Sequence, residues 1–252
     1  MDKNTTETPP YLAGVIGHPI SHSKSPKLHN YWLSKYKING FYIPFSVTTD
    51  KLQASIKSLI SLGFNGVNVT IPHKEKILPF LESVDVSADE IGAVNCVAKL
   101  KGYNTDWIGF KKAMDENSIK LKNKNCIILG AGGAARAVAY ALIKSECNSI
   151  TILNRSENRK QTICKWIDRF GNFNANLNEA DIIINCTPVG MWPNLNDLPV
   201  YNGKISSNQV VVDTIYNPYE TAFLNYAKKA GAKVINGIDT VSYTHLTLPT
   251  KA

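Results

Sequence analysis

Short apolar runs alternate with amphipathic segments through the first hundred residues. Four runs predict strands: LAGVIG (12–17), FYIPFSV (41–47), GVNVTI (66–71) and AVNCVAKL (93–100). A Pro- and Ser-rich loop ends the first run, and a helix is predicted from Pro26 or just after it. A second helix is predicted between an Asp50 N-cap and a stop at Gly63, because the apolar residues between them share one helical face. This alternation predicts an open, mainly parallel α/β sheet.

A second alternating series follows a predicted connecting helix at 107–117. Its predicted strands are 125–129, 149–154, 181–186, 209–214 and 233–236, and its predicted helices are 133–145, 157–170 and 219–230. The pattern predicts a doubly wound parallel sheet. We therefore predict two α/β domains, a catalytic, substrate-binding one over 1–106 with a polar tail at 1–10, and a second over 107–239.

Composition narrows the class of protein. No run approaches the roughly 18 to 20 apolar residues of a membrane span, and the first residues are polar, which together predict a cytoplasmic protein that does not bind membranes. The five cysteines lack metal-ligand spacing, so neither a metal site nor disulfides are predicted. The net charge of +8 suits an anionic partner. Because the basic residues are spread out, with one small cluster at 120–125, we predict a small anionic molecule rather than nucleic acid.

A glycine-rich turn opens the second series. The segment CIILGAGGAARAVAYAL places Gly130, Gly132 and Gly133, with Ala135 in the last small position, between an apolar strand and an Ala-rich helix. This is the G-x-G-x-x-A dinucleotide fingerprint of a Rossmann domain in its required context. Small residues let a pyrophosphate approach the backbone, and the helix N-terminus attracts its charge. The alternative is a turn that is tight for packing reasons alone.

The next strand suggests which dinucleotide binds. Where NAD-binding chains usually carry an acidic residue for the ribose 2′-hydroxyl, this chain has Asn154 and Arg155, with Arg159 four residues on. A guanidinium can bind a 2′-phosphate through two charge-assisted hydrogen bonds, whereas a carboxylate would repel it. The sequence therefore favours NADP over NAD, although Arg159 could equally be an exposed helix residue.

Lys74 is the candidate proton donor. A nicotinamide enzyme that reduces a ketone needs a donor for the developing alkoxide, and Lys74 follows the third strand and a proline in NVTIPHKE. Asp106, at the start of the connecting helix, could pair with it and hold its charge. The alternatives are a surface Lys74 paired with Glu75 or Glu82, and an Asp106 that only caps its helix.

Seven motifs occur together and in order. They are HSKSP (22–26), NVTIPHKE (68–75), GAVN (92–95), NTD (104–106), GAGGAAR (130–136), NR (154–155) and NCTPVGM (185–191). Over about residues 11 to 239 the chain resembles the shikimate dehydrogenase family. The resemblance implies an NADPH-dependent reduction of 3-dehydroshikimate to shikimate, in the pathway to aromatic amino acids.

The resemblance also implies roles for single residues. Ser23 and Ser25 would bind the substrate carboxylate, while Thr70, Asn95 and Asp106 would bind its ring hydroxyls, and Tyr216 would also reach the substrate. Lys74 would be the catalytic acid and base, assisted by Asp106. The pyrophosphate turn would comprise Gly130, Ala131, Gly132, Gly133 and Ala134, and the adenosine phosphate pocket Asn154, Arg155, Ser156 and Arg159. Thr187, Thr214 and Gly237 would line the route to the nicotinamide.

The carboxyl-terminal residues depart from the family pattern G-x-x-M-L-x-x-Q. Thr240 stands at the methionine position and Thr244 at the glutamine position, and the tail has no helical apolar stripe. We predict that 240–252 is foreign to the protein, which would weaken stability and substrate binding. Three alternatives stay open: a broader quinate/shikimate dehydrogenase, a non-catalytic dinucleotide-binding regulator and an inactive fragment. Monomer and homodimer also remain alternatives.

Overall fold

The computed structural model describes residues 9–21, 23–171, 173 and 180–238, which form two compact units. The first unit takes the described residues up to Asp89 and resumes over Val94–Tyr103. The second takes Glu90–Ala93 and the described residues from Asn104 onward. The domain limits at 106 and 239 stay predictions, and the tail predicted to be foreign, 240–252, lies outside the described residues.

The first series contains a six-stranded mixed sheet in the order β2-β1-β3-β5-β6-β4. The strands are β1 (Tyr11–Gly17), β2 (Gly40–Ser46), β3 (Gly66–Val69), β4 (Ser83–Val84), β5 (Cys96–Ala98) and β6 (Lys101–Tyr103), and the helices are α1 (Ser25–Lys35), α2 (Leu52–Ser61) and α3 (Val86–Ile91). Strand β1 pairs in parallel with β2 and β3, and β4 with β6, whereas β5 is antiparallel to both of its neighbours. The predicted mainly parallel sheet is confirmed.

Alternate side chains of this sheet enter two cores. Ile16, Val67 and Val69 pack on one face against Leu52 and Ile56 of α2, the face that the sequence predicted for this helix. Ala13, Val15 and Tyr42 pack on the other face with Ile20 and, from α1, Leu33. Both faces are covered, as in parallel sheets generally.

The predicted start of α2 is wrong. Asp50 lies inside a short 3₁₀ helix, Thr49–Lys51, and the residue at the N-cap position of α2 is Lys51. The Asp50 carboxylate accepts a hydrogen bond from the side chain of Thr48, which lowers the pKa of Asp50. This carboxylate therefore organises the turn before the helix, a local alternative that aspartates commonly offer.

The predicted strand 93–100 is also wrong in its extent. Strand β5 covers only Cys96–Ala98, and β6 returns antiparallel beside it after a two-residue turn at Lys99 and Leu100. Both turn residues are left-handed, with φ of 48° and 58°. Such turns usually carry Asn-Gly or Asp-Gly, so this hairpin has no turn signal in its sequence.

Replacing Lys99 with asparagine is expected to stabilise the protein by about 0.5–1 kcal/mol, because asparagine tolerates the left-handed conformation that costs other residues roughly 1–2 kcal/mol. Lys99 is exposed, so the substitution removes no core packing. Urea unfolding measures the change, and Lys101→Asn, at the neighbouring exposed strand position, is the matched control. Equal or lower stability of the Lys99→Asn variant would contradict the expectation.

The second series contains a fully parallel sheet in the order β11-β10-β9-β7-β8. Its strands are β7 (Asn125–Leu129), β8 (Ser149–Leu153), β9 (Ile182–Asn185), β10 (Val210–Asp213) and β11 (Lys233–Ile235), and its helices are α4 (Asp106–Glu116), α5 (Gly133–Lys144), α6 (Glu157–Ile167) and α7 (Ala222–Lys229). Ile128 and Ile184 face the helices α4 to α6, while Ile127, Ile183 and Val211 face α7. The predicted doubly wound sheet is confirmed.

Candidate active-site residues

Lys74 is held by its own backbone just after β3. Thr70 begins the connection by donating its N–H to the carbonyl of Ile16, at 2.9 Å. The carbonyl of Lys74 then accepts the N–H of Val94, at 2.7 Å, and the Lys74 side chain is half-buried. Asn95 follows Val94 directly, so this backbone bond joins the segment of the predicted acid and base to the segment of a predicted substrate-binding carboxamide.

Asn95 is buried and supported by a network that the sequence did not predict. Its N–H donates to the carbonyl of Tyr103, and its own carbonyl accepts the N–H of Val69, at 2.8 Å. The Asn68 amide also donates to the Asn95 carbonyl, at 3.3 Å, and accepts the Tyr42 hydroxyl, at 2.7 Å. An asparagine inside the apolar run GVNVTI was the available signal, because a buried amide requires partners.

Ser23 and Ser25 pair with each other at the start of α1. The Ser23 hydroxyl donates to the Ser25 hydroxyl at 3.2 Å and accepts the Ser25 N–H at 3.3 Å. Their hydroxyls therefore lie side by side, an arrangement that suits the two oxygens of a carboxylate.

His73, which precedes Lys74, is completely buried. Its Nε2 lies 2.7 Å from the carbonyl of Val47, which places the ring proton on Nε2, and within the described residues its Nδ1 has no hydrogen-bond partner. Burial lowers the pKa of His73 below its ordinary value of 6.5. The neutral ring therefore holds the segment that carries Lys74.

Lowering the pH is expected to reduce the free energy of unfolding, because His73 is held neutral in the folded state. The pKa of this group is lower in the folded state, so its stabilisation is complete above pH 6.5 and is lost as pH falls from 6.5 toward the folded-state pKa, by up to about 1.4 kcal/mol per pH unit. His73→Gln removes the titration and should flatten this part of the pH profile, measured by urea unfolding from pH 8 to 5. Equal slopes for the parent and His73→Gln proteins would refute the assignment.

Asp106 is half-buried at the first position of α4, in the second unit. Its N–H donates to the side-chain oxygen of Asn104, at 3.0 Å, and the Asn104 amide donates to the carbonyl of Ala93, at 2.8 Å. Thr105, not Asp106, occupies the N-cap position of α4. Asn104 fixes the backbone from which the carboxylate projects.

In the glycine turn, Gly130 packs closely against neighbouring backbone and Gly132 faces open space, as the dinucleotide fingerprint requires. Gly130 is left-handed, with φ of 116°, and a side chain there would lie 3.2 Å from the backbone of Cys186. A side chain at Gly132 would meet no atom within 4 Å, and α5 begins at the next residue, Gly133, followed by Ala134. The open face of the turn and the first N–H groups of the helix, which lack acceptors within the helix itself, suit a pyrophosphate.

The candidate adenosine phosphate pocket lies beside this turn. The Gly130 N–H donates to the carbonyl of Leu153, at 2.8 Å, which ties the turn to the end of β8. Asn154 follows and donates to the carbonyl of Ser156, at 2.9 Å, so the loop is shaped before α6 begins. The neighbouring Arg155 and Arg159 are both exposed, which leaves their guanidinium groups accessible to a phosphate.

The candidate nicotinamide residues converge on the ends of β9 and β10. Thr187 donates its N–H and its hydroxyl to the side-chain oxygen of Asn185. Thr214 donates its N–H and its hydroxyl to the backbone carbonyl of Asn185. Gly237 lies close to the same turn. A β-carbon added at Gly237 would lie only 2.4 Å from the Thr214 carbonyl oxygen. Tyr216, two residues after Thr214, is half-buried. Trp192 is 51% exposed, so it does not fill a core.

Asp213, the last residue of β10, was not singled out from the sequence. It is completely buried and accepts hydrogen bonds from the Asn185 amide (3.1 Å), the Ile215 N–H (2.9 Å) and the Thr221 hydroxyl (2.7 Å). Burial raises the pKa of its carboxyl to about 6, against the effect of these three donors. A polar residue that ends an otherwise apolar strand, as in IIIN and VVVD, was the signal for both Asn185 and Asp213.

Two family models match this chain. Residues 15–97 match the shikimate dehydrogenase substrate binding domain, and residues 111–191 match the shikimate / quinate 5-dehydrogenase family. A shikimate dehydrogenase (NADP(+)) of Methanococcus maripaludis is 44% identical, over 92% of this chain and 88% of that protein. The chain belongs to the shikimate dehydrogenase family.

Solved structures of this family have the same fold. A crystal structure of a shikimate dehydrogenase in complex with NADP+ is 40% identical, with a TM-score of 0.86, covering 94% of this chain and 87% of that one. The shikimate dehydrogenase from Thermus thermophilus, in complex with NADP(H) and shikimate, is 33% identical, with a TM-score of 0.83, covering 93% and 90%. The predicted fold class, a shikimate dehydrogenase substrate domain with a Rossmann domain, is thus confirmed.

Proposed function

We propose that this chain is an NADP-dependent shikimate dehydrogenase, which reversibly reduces 3-dehydroshikimate to shikimate with NADPH in aromatic amino acid biosynthesis. The observation that carries the proposal is Lys74, a half-buried lysine after β3 whose backbone carbonyl accepts the N–H of Val94, the residue before Asn95. A regulator that only bound a dinucleotide would have no use for this amine, nor for paired hydroxyls at Ser23 and Ser25. Family membership supports the same activity.

The proton chemistry is assigned to Lys74. When bound, NADPH supplies the hydride that reaches the carbonyl carbon of the substrate. The carbonyl π bond breaks toward oxygen, and the Lys74 ammonium gives that oxygen a proton, so the alkoxide charge never accumulates. In the reverse direction the neutral amine accepts the hydroxyl proton. Asp106 is proposed to assist by favouring the charged form of the amine.

The remaining predicted residues are proposed to bind and orient. Ser23 and Ser25 would donate to the substrate carboxylate, and Thr70, Asn95 and Asp106 would bind its ring hydroxyls, with Tyr216 also contacting the substrate. Hydroxyl donors suit a carboxylate, and a carboxamide such as Asn95 can both donate to and accept from a hydroxyl. Fixing the small acid in one orientation supports transfer at a single carbon.

The cofactor is proposed to be NADP. The Gly130–Ala134 turn would hold the pyrophosphate, and Asn154, Arg155, Ser156 and Arg159 would hold the adenosine phosphate. Thr187, Thr214 and Gly237 would line the nicotinamide side. The accessible guanidinium groups of Arg155 and Arg159, without an acidic residue at the end of β8, support NADP over NAD.

We propose a small anionic partner rather than nucleic acid, because the one basic cluster is partly neutralised within the protein. In the cluster at 120–125, Lys122 pairs with Glu146 and Lys124 with Asp181.

Among the described helices, none combines the length and the apolarity that crossing a bilayer would need. A cytoplasmic location remains our proposal, supported by five cysteines that are free thiols.

Turnover tests the proposal directly. The purified chain with shikimate and NADP⁺ should raise absorbance at the reduced-nicotinamide band, and quinate should be the poorer substrate. The broader quinate/shikimate activity is the second candidate, because the family matched by residues 111–191 includes quinate dehydrogenases by its description. Comparable kcat/KM for both acids would favour that alternative. Absence of turnover with either acid would refute both.

A further inference from the structure

The buried carboxylate of Asp213 joins separate parts of the candidate cofactor site. Asp213 and Asn185 are partners in the parallel register of β10 and β9, and each is the last residue of its strand. The Asn185 amide donates to one oxygen of Asp213, and the Thr221 hydroxyl donates to the other. Both side chains are completely buried, so water does not compete for these bonds.

Each of these partners holds a further segment. The side-chain oxygen of Asn185 accepts the N–H (3.0 Å) and the hydroxyl (2.7 Å) of Thr187, which fixes the loop after β9. Thr221 is the N-cap of α7, and its hydroxyl oxygen accepts the Leu224 N–H at 3.2 Å. Removing the carboxylate would therefore take the acceptor away from the Thr221 hydroxyl and leave the Asn185 amide only its longer bond to the Val189 carbonyl, at 3.4 Å.

The turn after β10 depends on the same carboxylate. The N–H of Ile215 donates to Asp213, and the adjacent Thr214 donates its N–H and hydroxyl to the Asn185 carbonyl. The carbonyl of Ile215 then accepts the N–H of Gly237, at 3.1 Å. The candidate nicotinamide residues Thr187, Thr214 and Gly237 are thus connected through one buried acid.

We propose that Asp213 is a positioning residue for the cofactor, which sets the placement of Thr187 and Thr214 through its bonds to Asn185, Ile215 and Thr221. The inference rests on the proposed function, because it takes these threonines to line the nicotinamide side. At pH 8 the carboxyl, with a pKa raised to about 6 by burial, is ionised and accepts all three bonds. Burial is the largest cause of this raised pKa, and the three uncharged donors, Asn185, Ile215 and Thr221, act against it.

Asp213→Ala is expected to raise the KM for NADPH about 10- to 100-fold at pH 8, since small displacements of positioning groups cost up to about 10²-fold. The KM for shikimate should stay within twofold. Asp213→Asn keeps an acceptor for Asn185 and Ile215 and should restore the KM for NADPH to within about threefold of the parent. If Asp213→Ala fails to fold, Thr221→Val, which removes one of the three bonds to Asp213 together with the cap bond from Leu224, should give a smaller rise in the same constant.

Gln209→Ala is the matched control. Gln209 is also buried, lies at the opposite end of β10, and donates to the carbonyl of Ala180 at 2.7 Å. It should lower the melting temperature without changing the KM for NADPH. An unchanged KM in Asp213→Ala, or in Thr221→Val, would overturn the proposal, as would an asparagine variant as impaired as the alanine one. Failure of the parent protein to turn over shikimate would instead refute the proposed function, and calorimetric binding of NADP⁺ would still test Asp213.

Discussion

Lys74→Met is expected to lower kcat for shikimate oxidation by about 10² to 10⁴, the usual contribution of a positioned acid and base. Methionine keeps an unbranched side chain of similar reach, so packing around the half-buried position should survive. The KM for shikimate should change by less than about threefold, because binding is assigned mainly to hydroxyl and amide groups elsewhere. Initial rates at saturating NADP⁺ measure both constants.

Lys76→Met is the matched control for this prediction. Lys76 lies two residues further along the same segment, is exposed, and donates to the Thr49 hydroxyl at 3.2 Å. Its loss should leave kcat within twofold. Equal rates for the Lys74→Met and parent proteins would remove the acid and base role, while equal losses in both lysine variants would indicate a general effect of charge.

Periodicity predicted the second unit better than the first, for a physical reason. Parallel strands covered on both faces read as continuous apolar runs, and stretches such as Cys126–Leu129 and Ile182–Ile184 are unmistakable. In the first unit β4 has only two residues, Ser83–Val84, and the β5–β6 turn lacks glycine and asparagine. Tertiary pairing decides such elements, and local sequence does not report it.

The residues of the candidate site likewise divide into those that local sequence predicts and those that only the fold reveals. Residue types and their positions after strands were sufficient to propose Lys74, Asp106 and the glycine turn. The groups that support candidate residues, such as Asn104, Asn68 and Asp213, depend on which distant atoms come within hydrogen-bonding distance. Asn104 reaches Ala93, eleven residues away, and Asp213 reaches Asn185, twenty-eight residues away. Spacing along the chain carries no information about such pairs until the fold is known.

Replacing both Arg155 and Arg159 with alanine is expected to raise the KM for NADP⁺ by about 10²- to 10³-fold, because each charge-assisted bond to a phosphate contributes roughly 1.5–3 kcal/mol. The KM for NAD⁺ should change little, since NAD⁺ has no 2′-phosphate. The cofactor preference should therefore fall by nearly the same factor. Steady-state kinetics with both cofactors at saturating shikimate measures this ratio.

Two comparisons make this result specific to a phosphate contact. Arg169→Ala removes an exposed arginine just after α6 and should leave the cofactor preference unchanged. Added salt should weaken NADP⁺ binding more in the parent than in the double variant, because salt screens the attraction between exposed opposite charges and shortens its range to about 8 Å at physiological ionic strength. If the double variant lost NAD⁺ and NADP⁺ activity in equal proportion, the arginines would act on the fold of the loop. The 2′-phosphate would then need another partner on this side of the sheet.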